Sequence, residues 1–247
     1  LEREARLRPT AAEVALRLRL EEASPWWRAH QSDAEAGTPG SWYLTPLVGR
    51  ERELDLLREA WGQTEAGGRG GALWLVGSEG SGKSRLVGDF ADRVRTTATP
   101  PVYLQGRCRT LVAERPCAAV LELLQRWLGL PPGVAPGPAE RAVLEHSVPP
   151  SAARALLSAL DPEHSAGMPE AVPSALADWL VALARSTPVL AFLDDLNFAD
   201  EGTLLVLKMV AERLAGTRLL LVLGEREREA TLRPQAYAQL RERLAAL

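Results

Sequence analysis

The 247-residue chain has no isoleucine, a single asparagine (Asn197), two cysteines and only two lysines, Lys83 and Lys208, among its 29 basic residues. Each scarcity narrows the reading. Cys108 and Cys117 are spaced unlike a zinc site, with no histidine or second cysteine pair near them, and read as ordinary reduced thiols. No apolar run approaches the roughly 20 residues that a membrane span requires, and no charged-then-apolar signal segment opens the chain. A cytoplasmic location without membrane contact is therefore expected. The 29 basic and 32 acidic residues are spread evenly, with a formal net charge of -3. That balance leaves no basic stripe, so direct nucleic-acid binding is not expected. What remains, 46% hydrophobic and 25% charged residues, fits a globular protein with one full domain plus extensions. With Leu1 in place of a methionine, the chain is expected to be a piece of a longer protein.

Three regions emerge along the sequence. Residues 1–24 contain RPTAAEVALRLRLEEA, in which Pro9 and Thr10 suit a helix start and the leucines suit a packed helix. Residues 25–45 carry Pro25, Gly37, Pro39 and Gly40 and read as a linker, although Trp26, Trp27 and Trp42 are unusual linker material. From residue 46 to 247 strands and helices alternate. Leu54, Leu57 and Trp61 predict an amphipathic helix over 51–62, and apolar runs predict strands at 72–76, 102–105, 189–193 and 219–223. Helices are expected over 85–94, 118–128, 174–185 and 201–214, and the charged tail 226–247 reads as helical. A loop-rich helical insertion is expected over 129–173, with Ala152–Leu160 as one of its helices. The alternation indicates an α/β fold, with a parallel sheet covered by helices on both faces.

The chemistry concentrates in three places. Gly77–Ser84 reads GSEGSGKS, which matches the phosphate-binding pattern G-x-x-x-x-G-K-[ST] and lies between a predicted strand and a predicted helix. Gly77, Gly80 and Gly82 let the backbone wrap phosphates, and amides at the helix start offer positive potential. Lys83 reaches the β and γ oxygens, and the Ser84 hydroxyl holds Mg²⁺. Such a loop needs an acidic partner at the end of a neighbouring strand. Val189–Leu193 followed by Asp194 and Asp195 supplies one: the first carboxylate for Mg²⁺, the second to orient or deprotonate water. Arg226, after the apolar run Leu219–Leu223, either faces the γ-phosphate or is a surface arginine of the run EREREA.

Taken in order, PLVGREREL, GSEGSGKSRLV, GRCRTLVAERPCAAVLELL, LAFLDDLNFAD and LLLVLGERE resemble the AAA-type ATPase module of STAND signalling NTPases, found in large bacterial regulators. The resemblance covers 46 to about 234. It implies a P-loop NTPase fold with ATP or ADP and Mg²⁺ as ligands. Val48, Gly49 and Arg50 would lie beside the adenine, Lys83, Ser84 and Arg85 at the phosphates, Asp194 and Asp195 at Mg²⁺ and water, and Arg226 would sense phosphate. Asn197 and Phe198 stand where the family carries His and Trp, and Cys117 stands where it carries an aromatic residue; slow hydrolysis is the expected result. The family's C-terminal lid is not found before Leu247. EREARLRPTAAEVALRL resembles the last helix of a Ser/Thr protein kinase domain, with Arg8 as its structural arginine.

The expectation is thus a P-loop α/β domain with a five-stranded parallel sheet and a helical insertion, joined by a linker to the end of a kinase-like domain. Its partners would be the nucleotide and other domains of the same polypeptide, with nucleotide-dependent self-association. Three functional classes fit: a regulatory switch that hydrolyses Mg-ATP slowly, a non-hydrolysing nucleotide-bound scaffold, and the ATPase module of a transcription regulator.

Overall fold

The computed structural model describes residues 47–96, 100–109, 116–130, 136–145, 148, 150–161, 171–227 and 229–245. The kinase-like helix over 1–24, the linker over 25–45 and their tryptophans lie outside the described residues.

The periodicities of the sequence account for most elements. Leu54, Leu57 and Trp61 are the buried stripe of helix α1 (Glu51–Gly67), which runs past the expected end at Gly62. Strand β1 (Gly71–Gly77) leads into the glycine-rich loop, and α2 (Lys83–Val94) follows with Leu86, Val87, Phe90, Ala91 and Val94 buried. Next come β2 (Val102–Arg107) and α3 (Ala118–Trp127). The expected insertion contains α4 (Pro136–Glu145) and α5 (Pro150–Leu160). The chain then forms α6 (Ala171–Ser186), β3 (Val189–Asp194), a 3-10 turn (Leu196–Phe198), α7 (Glu201–Ala211), β4 (Leu219–Arg226) and α8 (Pro234–Ala245).

All pairings are parallel and the strand order is β1-β4-β3-β2. Among the described residues the sheet has four strands, not the expected five. The four apolar runs supply all of them. The segment after β4 buries Tyr237, Leu240 and Leu244, whose spacing of three and four belongs to a helix. It therefore packs as α8 and leaves β1 at an edge.

Strands β3 and β4 are buried on both faces, as their unbroken apolar runs require. Leu190, Phe192, Leu220 and Val222 point to a core shared with α1 and α2. The alternate residues Val189, Ala191, Leu193, Leu219, Leu221 and Leu223 point to a larger core under α3 to α8. The sheet is thus the middle of three layers, with Leu47–Leu247 forming one compact unit. Parallel register places every strand's carboxyl end along one edge. Gly77 lies opposite Arg226, and Arg107 opposite Asp194. An open α/β sheet binds its ligands at that edge.

The fit between β2 and α3 makes a testable demand. A Cβ on Gly106 would lie 2.5 Å from the main-chain oxygen of Ala119 and 3.1 Å from methyls of Leu123 and Leu193. Gly106→Ala is expected to destabilise the domain by about 1–3 kcal/mol through overpacking, read as a lower urea midpoint at unchanged m-value. An unaltered midpoint would show that α3 yields without cost.

Candidate functional site at the carboxyl edge of the sheet

The loop between β1 and α2 has the conformation that its glycines allow. Gly80 and Gly82 take φ of 75° and 86°, values that L side chains disfavour. Gly82 caps α2, so the helix's first amides open toward the loop. Lys83 Nζ donates to Gly77 O at 2.8 Å and to Ser78 O at 3.1 Å. Its ammonium therefore sits within the curve of the loop. Gly77 faces Ser81 so closely that a Cβ would stand 2.8 Å from Ser81 Oγ. That hydroxyl is buried without a hydrogen-bond partner.

The acidic pair follows from the end of β3. Asp194 and Asp195 are both buried. Ser84 Oγ donates to Asp194 Oδ2 at 2.5 Å, and the Asp195 amide donates to Asp194 Oδ1 at 2.9 Å. Asp195 itself is left-handed, with φ of 56° and ψ of 43°. Such a conformation costs an L-residue on the order of 1 kcal/mol, and Asp tolerates it better than most. It breaks the strand and turns the carboxylate toward two arginines.

Arg226 Nε donates to Asp195 Oδ1 at 2.7 Å and Arg226 Nη2 to Oδ2 at 2.9 Å. Arg107 adds Nε at 2.8 Å and Nη2 at 2.7 Å from Oδ2. Both carboxylate oxygens are thereby engaged. Burial works to raise the Asp195 pKa, but hydrogen bonds from Arg226 and Arg107 outweigh it and hold the carboxyl below the ordinary range. The same pairing keeps Arg226 protonated still more firmly than usual. The Arg226 guanidinium also lies 5.1 Å from the centroid of Phe198, and its Nη1 is 3.0 Å from Glu79 of the loop.

The sequence-predicted residues are not all brought together. Lys83, Ser84, Asp194, Asp195 and Arg226 converge. Arg50 reaches the loop through Nη2 to Ser81 O at 2.9 Å, while its Nη1 binds Glu53 at 2.6 Å. Val48 is 81% exposed, and Gly49 is exposed with its amide on Glu51 Oε1 at 3.3 Å. Arg85 is half-buried in the first turn of α2.

Four features were missed at the sequence level. Arg107 was legible in principle, because it ends an apolar strand in a parallel sheet and so must lie at the ligand edge. Glu79 lay inside the quoted loop, but nothing local assigns its partner. Asn197, at the position expected to carry His, accepts the Arg226 amide at 2.7 Å and donates to Arg226 O and Glu229 O at 3.3 and 3.0 Å. Asp200 is structural: it caps α7 through Thr203 N at 2.8 Å and fixes Cys117 N at 2.7 Å. Burial, with Asp200 nearby, pushes the Cys117 thiol up to about 12, and burial raises Cys108 as well. Both are free and buried, and burial disfavours their thiolate forms.

The donor set fits one divalent cation. The Ser84 hydroxyl and an Asp194 oxygen already meet, giving hard oxygen ligands of the type Mg²⁺ takes when phosphates and water complete its shell. Among the described residues no group of three or more His, Cys, Asp or Glu could hold a metal as an all-protein cage. The family model for the AAA ATPase domain matches residues 46–223. The chain belongs to that family. No curated protein matches the chain. Membership makes this a nucleotide-binding AAA ATPase domain, of a family that generally uses ATP and Mg²⁺. Among the described residues of the domain, no helix is long and apolar enough to cross a membrane.

The depressed Asp195 pKa fixes the sign of an acid effect. Asp195 stabilises the fold fully above its unfolded pKa of about 4, and this is lost as pH falls through the lower folded value. The urea-midpoint advantage of wild type over Asp195→Asn is expected to be flat from neutral pH to about pH 5 and to shrink below about pH 4. An advantage that grows on acidification would contradict the pairing.

Proposed function

We propose that the domain binds Mg-ATP, hydrolyses it slowly, and uses its nucleotide state as a regulatory switch within a multidomain bacterial signalling protein of the STAND type. The observation that carries the reading is the meeting of Lys83, Ser84, Asp194 and Asp195 at one edge of the sheet, with Asp195 held by two arginines. Lys83 would exchange the carbonyls of Gly77 and Ser78 for β- and γ-phosphate oxygens. The amides behind Gly80 and Gly82 would bind phosphate along the loop, and Arg50 would brace the loop through Ser81, on the adenine side with Val48 and Gly49. Arg85 would add charge next to the phosphates.

Ser84 and Asp194 would hold Mg²⁺, which when bound neutralises charge that accumulates on the phosphate oxygens. The reaction is phosphoryl transfer to water. The water oxygen forms a bond to the terminal phosphorus, the bond from that phosphorus to the bridging oxygen breaks, and the diphosphate leaves. The water proton is taken up by Asp195 or by the departing phosphate. Most of the acceleration comes from positioning and charge, not from covalent chemistry.

The arginine grip supports the word slowly. A carboxylate with both oxygens engaged and a depressed pKa is a weak base, so it can serve water only after one guanidinium withdraws. Arg226 is the arginine best placed to meet the terminal phosphate, through the Nη1 that Asp195 does not engage, and so report its presence. The same grip favours a second reading, a scaffold that binds nucleotide without turnover and associates with partners, including other copies. A transcription-regulator role rests on the family resemblance alone. The kinase proposal rests on EREARLRPTAAEVALRL, and a kinase catalytic loop encoded upstream is the observation that it requires.

Phosphate release and nucleotide affinity separate the two readings. Lys83→Ala is expected to abolish nucleotide binding and phosphate release together. Asp195→Asn is expected to retain binding while release falls at least about tenfold, in keeping with loss of a general base. Wild-type release no greater than that of Lys83→Ala, with binding intact, would sink the hydrolytic switch and leave the scaffold.

A further inference from the structure

The phosphate loop carries a negative charge where its ligand is also negative, and that charge is already paired. Glu79 Oε2 lies 3.0 Å from Arg226 Nη1. The other edge of the same guanidinium is fixed: Nε and Nη2 are on Asp195 at 2.7 and 2.9 Å, and Phe198 lies against its face. Only Nη1 is left for the loop side, where Glu229 is a more distant partner at 3.4 Å. Burial across this contact is unequal. The Arg226 side chain is 13% exposed and that of Glu79 is 72% exposed. Glu79 can leave for water at little cost, whereas the buried guanidinium benefits from an anion at Nη1 whatever its source.

We propose that Glu79 is a specificity-determining residue whose carboxylate stands in for the terminal phosphate of a nucleoside triphosphate at Arg226. The inference rests on the nucleotide reading given above. A triphosphate brings a terminal group to Arg226 Nη1, breaks the ion pair and releases Glu79 into solvent. A diphosphate lacks that group and binds with the pair intact. The contact therefore weakens triphosphate binding selectively and sets the ratio of the two affinities, without Glu79 touching the nucleotide that finally binds.

The test measures Kd for Mg-ADP and for an ATP analogue with a non-hydrolysable β–γ imido bridge, using the 247-residue chain. Glu79→Gln is expected to tighten the analogue relative to ADP by about threefold, the scale of an exposed ion pair. Glu79→Asp keeps the charge but shortens the side chain past reach of Nη1, and is expected to shift the ratio in the same direction. In an Arg226→Gln background the shift should vanish. Equal gains for both ligands in Glu79→Gln, an unshifted ratio in Glu79→Asp, or a shift that persists without Arg226 would each overturn the inference while leaving the nucleotide reading intact. Failure of the wild-type chain to bind either ligand would instead remove the nucleotide reading, and this inference with it.

Discussion

The carboxylate of Asp195 is the point on which the edge of the sheet is organised. Two guanidinium groups from different strands converge on it, one from the end of β2 and one from the end of β4. Three strands are thus tied across their carboxyl ends by charge-assisted hydrogen bonds to a buried carboxylate, with Arg226 largely sheltered and Arg107 half exposed. The arrangement needs Asp195 in a left-handed conformation, and the main chain is held there by the Asp194 carboxylate receiving its amide. Asp194 in turn receives the Ser84 hydroxyl, so the hydrogen-bond chain runs from the arginines to the phosphate loop. Removing Arg226 leaves Asp195 with Arg107 alone on one of its two buried oxygens, and such loss costs more than the bond itself is worth.

The energetic support for this network lies in the layers. Strands β3 and β4 are buried on both faces, and a slip of one residue would exchange the side chains of the two cores, setting Ala191 where Phe192 packs and the reverse. Register is therefore strongly specified, and register is what aligns Gly77 with Arg226 and Arg107 with Asp194. The cores lie beneath the strands, away from the side chains at the carboxyl edge. They set the spacing within which a difference of an ångström decides whether an arginine reaches a carboxylate. Gly224 shows how tight that spacing is: a Cβ there would stand 2.6 Å from Asp194 Oδ1 and 3.2 Å from Asp194 Cα.

Much of this was legible from the residues alone, and the reasons differ by case. Continuous apolar runs at 189–193 and 219–223 announce strands buried on both faces because nothing else burns so much apolar length in so few residues. Gly77–Ser84 is readable since phosphate binding imposes glycine at fixed spacing, and Asp194 with Asp195 is readable as a strand-end carboxylate pair. The expected fifth strand had no apolar run behind it, since the sequence offers four and the charged tail 226–247 already reads as helical. The segment after β4 has helical spacing at Tyr237, Leu240 and Leu244. The partners of Arg107, Glu79 and Asn197 stayed hidden for another reason: they are distant in sequence, and although the position of Arg107 at a strand end is a local signal, its pairing is set by register and burial.

Asn197 stands two residues beyond Asp195, and its side-chain amide is stitched to the main chain of Arg226 and Glu229, while its own carbonyl accepts the Leu232 amide. The turn that carries the acid and the segment that carries its principal cation are in this way one mechanical piece. The left-handed turn of Asp195 is therefore bonded to the exit of β4, the strand that precedes α8. Moving that turn away from the exit of β4 would cost these four hydrogen bonds together.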